Sequence, residues 1–201
     1  LWGNGTIRIL TGFLTLYVAF VAKSTEHDAI KQAAMLGLVG AAAGIGNFAG
    51  NATGARLKLG RPSIVVLRCT IAVTAVTVIA AFAHSMLMAA IVALVASCTS
   101  ALAKVSLDAS IQDDLPAESI ASGFGRSETV LQLSWVLGGA MGVLLPTKLW
   151  IGFTVVSVVL ALGLAQTIAT HLGRSLLPGI GGNRPVHAKQ EVPEVNSRIA
   201  R

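Results

Sequence analysis

Charge is the scarcest commodity in this chain: Asp, Glu, Lys and Arg make up 12% of 201 residues, where a soluble domain usually carries about a quarter. A water-facing surface cannot be built from so little. Hydrophobic residues reach 54%, and the composition falls in the membrane class. Aromatic residues are also few, 5% with a single tyrosine. The apolar mass is therefore Ala, Val, Leu and Ile with 21 glycines, a mixture suited to helices that approach closely in lipid. The alternating strands of about ten residues that build a membrane barrel are absent.

Other absences narrow the chemistry. The two cysteines, Cys69 and Cys98, lie inside apolar runs with no metal-site or disulfide-framework spacing, and read as packing residues. His27, His84, His171 and His187 stand at breaks or beyond the last run, so none is placed inside a run as ligand or base. There is no Gly-x-Ser-x-Gly elbow, no His-Glu-x-x-His, no phosphate loop ending in Gly-Lys-Ser/Thr and no Cys-x-x-Cys. No enzyme, cofactor or metal site is expected. The net charge of +6 is spread over short breaks rather than gathered on one face, which excludes nucleic acid as a partner. The chain opens on Leu1 without a charged n-region, an apolar h-region and a cleavage site. It is expected to carry no signal peptide and to be a fragment of something longer.

What is present is six apolar runs, approximately 6–22, 33–53, 64–82, 86–105, 124–145 and 149–168, each near the roughly 20 helical residues that span hydrocarbon. Short polar breaks separate them, the longest at 108–123. The pattern predicts an all-α membrane protein, an up-and-down bundle of six transmembrane helices over residues 1–172. Residues 173–201 hold three of the six prolines and no apolar run, and are expected to form a disordered tail. Lys23, Lys31 and Lys148 fall on one side of this bundle and the other twelve of the fifteen Lys and Arg on the opposite side. The positive-inside rule then places both termini in the cytoplasm, in a cell membrane.

The six runs divide into two sets of three. Runs two and five are rich in glycine, whereas three and six are uninterrupted and β-branched. Uniformly apolar helices need only lipid around them, so three and six are expected outside, with one, two, four and five enclosing the polar groups. An odd number of helices per set inverts the second set, giving the inverted repeats of secondary transporters.

The polar groups form two stripes. Ser97, Ser100, Lys104 and Asp108 recur at intervals of three and four on one helical face, as do Glu128, Gln132, Trp135, Gly139 and Gly142. Charges inside a bilayer cost about 2.5–3.5 kcal/mol on the lenient scale, so they face an interior or an interface. Gln132, Trp135, Ser97 and Ser100, together with Tyr17, are candidate cavity contacts. Lys104, Asp108, Arg126 and Glu128 lie toward the cytoplasmic end and are candidates for ion coupling or a gate; Arg126 is the expected partner holding a carboxylate ionised. Arg8 begins the first run and can snorkel to the interface. Gly46, Gly50 and Gly54 recur every four residues, a spacing that lets backbones approach.

The break GNATGARLKLGRP, 50–62, resembles the glycine-and-arginine cytoplasmic loop of the major facilitator superfamily, carried here by Gly50, Gly54, Arg56, Gly60 and Arg61. It departs from the family pattern in having Ala55 where an acidic residue usually precedes the first arginine, and three residues between Arg56 and Gly60. The run SLDASIQDDLPAESIASGFGRSETVLQLSWVLGGAMGVLLP is similar to the tenth-to-eleventh helix region of actinobacterial facilitators. The resemblance implies the C-terminal half of a twelve-helix carrier, missing its N-terminal six helices. It implies alternating access with one, two, four and five around a cavity, and proton-coupled export of a small molecule. The competing expectation is a non-transporting six-helix scaffold or accessory subunit.

Overall fold

The computed structural model describes residues 1–56 and 62–173, and every regular element among them is helical. Six helices run α1 Trp2–Thr25, α2 Ala29–Arg56, α3 Pro62–Ala83, α4 Met86–Asp114, α5 Ala117–Leu144 and α6 Leu149–His171. Five of them, all but α5, are long and apolar enough to cross a membrane. The chain has the make-up of a multi-pass membrane protein.

Each helix is longer than the apolar run that announces it. The largest difference is at 108–123, expected to be the longest loop: α4 continues to Asp114 and α5 starts at Ala117, leaving only Leu115 and Pro116 between them. Hydropathy reports where a helix leaves hydrocarbon, not where it unwinds. At about 1.5 Å per residue, the 29 residues of α4 far exceed the roughly 30 Å of a bilayer core. The polar turns from Lys104 onward are helix projecting past the apolar segment.

The reversals are set by local chemistry. His84 adopts a left-handed φ of 48°, turning the chain at the end of α3. Next to it, the Ser85 hydroxyl accepts the Met88 N–H at 3.2 Å and caps α4. Pro62 occupies the first position of α3, where its missing N–H costs nothing. Asp28 accepts the Ile30 N–H at 2.9 Å at the start of α2.

The helices pair selectively. α2 lies along α4 and α1 along α5, while α3 packs on α4 and α6 and α1 also meets α4 and α6. The two tightest seams are made by glycine. A Cβ at Gly138 would strike the Ile9 carbonyl oxygen, one at Gly12 the Trp135 carbonyl, and one at Gly142 would lie 2.8 Å from the Phe13 carbonyl oxygen, so α1 and α5 meet backbone to backbone. Likewise Gly46 abuts the Leu94 carbonyl, Gly50 that of Cys98, and Gly54 the Val105 side chain. Gly50 and Gly54 are therefore not loop residues: both are buried inside α2 against α4, because the helix runs through the break to Arg56. Gly60, Arg61 and the tail from 174 lie outside the described residues.

Tyr17 also departs from expectation. It is fully buried, stacked on Phe13 at 4.5 Å, and its hydroxyl donates toward the carbonyls of Pro146 at 2.9 Å and Lys148 at 2.7 Å. It fastens α1 to the α5–α6 turn. A buried phenol must find a partner, and here it shares the Pro146 and Lys148 carbonyls with the backbone N–H groups of the turn, Lys148 N–H on the first and Ile151 and Gly152 N–H on the second. On α3 the buried Thr70, Thr74 and Thr77 bond the carbonyls of Val66, Thr70 and Val73 on their own helix.

Gly138→Ala should lower stability by about 1–3 kcal/mol, the usual cost of overpacking. Gly44→Ala, where a Cβ meets nothing within 4 Å, should raise it by roughly 0.5–1 kcal/mol through helix entropy. Denaturant titration in detergent measures both. Equal effects at the two positions would show that the seam is not held by backbone contact.

Candidate functional site

The charged stripes of α4 and α5 meet at one point. Lys104 Nζ lies 3.0 Å from Asp108 Oδ1 on its own helix and 3.0 Å from Glu128 Oε2 on α5. Gln132 Nε2 donates to Glu128 Oε1 at 3.0 Å, one turn further along α5. Asp108, Lys104, Glu128 and Gln132 therefore form a continuous chain with the lysine bridging two carboxylates. Arg8 of α1 stands close enough for its charge to be felt at Glu128.

The bridge matters because α4 and α5 otherwise touch only slightly, each being committed to a glycine seam with another helix. Lys104–Glu128 is the only ion pair joining two of the helices among the described residues. Its groups are partly covered: the side chains of Lys104 and Glu128 keep 30% and 42% of their exposure. Water can reach such a pair, and it can be broken without stranding a fully desolvated charge.

Arg126 does not take the role expected of it. It is exposed and makes no ion pair among the described residues. Two residues along a helix are about 200° apart, so Arg126 and Glu128 leave α5 in nearly opposite directions. The spacing rule that groups Glu128 with Gln132 also excludes Arg126. Lys104 holds the carboxylates instead.

The cavity candidates separate. Ser97 lines a cleft of about 250 Å³ between α1, α2 and α4, together with Thr11, Leu14, Thr15 and Val18 of α1, Leu36, Val39, Gly40 and Ala43 of α2, and Ala93. Ser100, Gln132 and Trp135 do not border it. Gln132 is exposed on α5, Trp135 is half-buried with its carbonyl against Gly12, and Ser100 is half-buried on α4. Thr11, Thr15 and Gly40 were missed from the sequence, although Thr11, Thr15 and Val18 do follow a helical repeat. Arg8 was noted only as an interface anchor. Its nearness to Glu128 depends on how α1 packs, which no spacing encodes.

No family model matches the chain, and no solved structure matches it. It is similar to an uncharacterized protein of Mycobacterium leprae, 61% identical over 191 residues, which are 95% of this chain and 33% of that protein. It is also similar to uncharacterized proteins of two Mycobacterium tuberculosis strains, CDC 1551 / Oshkosh and H37Rv, each 60% identical over 200 residues, 100% of this chain and 36% of theirs. The chain spans about a third of the length of the curated relatives it matches.

A double-mutant cycle on Lys104→Met and Glu128→Gln should give a coupling between the roughly 0.2–1 kcal/mol of exposed pairs and the about 3–5 kcal/mol lost on breaking buried ones. Arg126→Gln should shift stability by less than about 0.5 kcal/mol. A coupling of zero would show that the bridge is only a proximity.

Proposed function

We propose that this chain is one half of a secondary active transporter of the major facilitator type, working by alternating access and exporting a small molecule in exchange for protons that enter down their gradient. The observation that carries the reading is the Lys104–Glu128 pair, a breakable charged link between two helices that are otherwise nearly independent, at the polar end of a helix whose apolar stretch borders a cleft. Protonation of Glu128 removes one arm of the bridge and frees α5 from α4 at that end. Asp108 retains the lysine when this happens, so no unpaired cation is left behind.

The helix pairing supports two inverted three-helix repeats. Exchanging α1 with α4, α2 with α5 and α3 with α6 turns the α2–α4 seam into the α5–α1 seam and the α3–α4 contact into the α6–α1 contact, while α1–α4 and α3–α6 map onto themselves. In this reading α5 is the sixth span, both termini face the cytoplasm, and Arg56 stands at that face. The open faces of α2 and α5, with Ile45 and Phe48 on one and Leu133 and Val136 on the other, take up the lipid and the second six-helix half.

The test is accessibility in the complete protein carrying Cys69→Ser and Cys98→Ser. A Gln132→Cys probe should react with a membrane-impermeant maleimide from either face of sealed vesicles, and imposing a proton gradient should change the ratio of the two rates. Glu128→Gln should abolish that change. Labelling from one face alone, whatever the gradient, would favour a static scaffold. A gradient response that survives both Glu128→Gln and Asp108→Asn would remove the carboxylates from coupling.

A further inference from the structure

The cleft between α1, α2 and α4 has a chemical character that the charged bridge does not share. Its walls carry no ionisable side chain. Lys104 lies seven residues, two helical turns, beyond Ser97 along α4. Two of its three hydroxyls are already engaged as donors: Thr11 Oγ1 to the Arg8 carbonyl at 3.0 Å and Thr15 Oγ1 to the Thr11 carbonyl at 2.8 Å. Those oxygens can still accept a hydrogen bond. The Ser97 hydroxyl makes no hydrogen bond among the described residues, and it alone of the three can still donate as well as accept. Val39, by contrast, presents only hydrocarbon.

We infer that this cleft binds an uncharged, mainly apolar molecule bearing a hydroxyl or similar hydrogen-bonding group, which Ser97 anchors. An ion entering here would lose its hydration with no opposite charge to replace it. A pure hydrocarbon would leave the serine hydroxyl without a partner. A volume of about 250 Å³ falls below that of pockets enclosing drug-sized ligands, roughly 300–1,000 Å³, so the occupant is small or only its apolar end is held. The inference deepens the transport reading and rests on it for the statement that the bound molecule is the cargo.

Gly40 makes the site testable. It lines the cleft, and a Cβ built on it meets nothing within 4 Å; Gly44, one turn on, is equally open but lies outside the lining. A leucine at the first adds its bulk at the cleft from a position where the Cβ is free, and a leucine at the second is the control for the helix. The probe is naphthol, an uncharged aromatic alcohol, with naphthalenesulfonate as its anionic counterpart. Binding to the complete protein in lipid nanodiscs is measured by calorimetry against empty discs.

Naphthol should bind saturably and the sulfonate about tenfold or more weaker. Gly40→Leu should lose about tenfold or more in affinity, Gly44→Leu none, and Ser97→Ala roughly two- to tenfold, the range of one neutral hydrogen bond. The site is overturned by an absence of saturable naphthol binding, by equal affinity for the sulfonate, or by Gly40→Leu and Gly44→Leu behaving alike. Loss with Gly40→Leu but none with Ser97→Ala would assign the cleft to a purely apolar occupant such as an acyl chain, against the inference. Gradient-driven naphthol flux separates the two readings. Intact, Gly40-sensitive binding without flux supports the site and sinks transport, whereas flux indifferent to Gly40→Leu sinks the site.

Discussion

In a bilayer, apolar side chains gain nothing by turning from lipid toward one another, so helices hold together only where their surfaces fit closely. Here that constraint is met by two glycine seams. Gly12, Gly138 and Gly142 bring the backbones of α1 and α5 together, and Gly46 and Gly50 do the same for α2 and α4, with Gly54 seated on the Val105 side chain. Everything else is arranged around those two pairs. α3 and α6 brace them, packing on each other and on α4 and α1. The result is two tight pairs joined more loosely, and the loose join is where the charges are.

That division explains why the bridge at Lys104 and the cleft at Ser97 are different kinds of place. The bridge spans α4 and α5, helices with little other contact, at the end where α4 projects beyond its apolar stretch. Its side chains keep part of their exposure. The cleft sits two turns away, walled by α1, α2 and α4, with its threonine hydroxyls turned back into their own helix. One is charged and partly exposed, the other is lined without a charge. Both draw on α4, so a shift of that helix acts on each.

Much of the architecture was legible from composition and periodicity. The six helices follow the six apolar runs, and the four-residue glycine spacing at Gly46, Gly50 and Gly54 reads correctly as close packing. The limits were physical. Hydropathy could not find helix ends, because Lys104–Asp114 is polar yet still helical, and for the same reason Gly50 and Gly54 were read as loop. Tyr17, a candidate cavity contact by sequence, needs a partner for its hydroxyl, and no sequence spacing says which. That partner is a pair of carbonyls more than a hundred positions away. The stripes on α4 and α5 were visible, but which charge would pair with which depended on how α5 is rotated against α4. Arg126, close in sequence to Glu128, points elsewhere.

The threonines of α3 lead to a last point. Thr70, Thr74 and Thr77 are buried, yet each hydroxyl is satisfied by the carbonyl four residues back. Their polarity is private to the helix. None of these three hydroxyls fixes a register against α4, α6 or α1, so at these positions α3 is fitted to its neighbours by shape. In evolution such a helix is free to exchange one β-branched residue for another wherever the volume is kept, while a glycine in either seam has no substitute of its size. Divergence among related chains should therefore concentrate on the bracing helices and spare the seams, the reverse of what their uniform hydrophobicity would suggest.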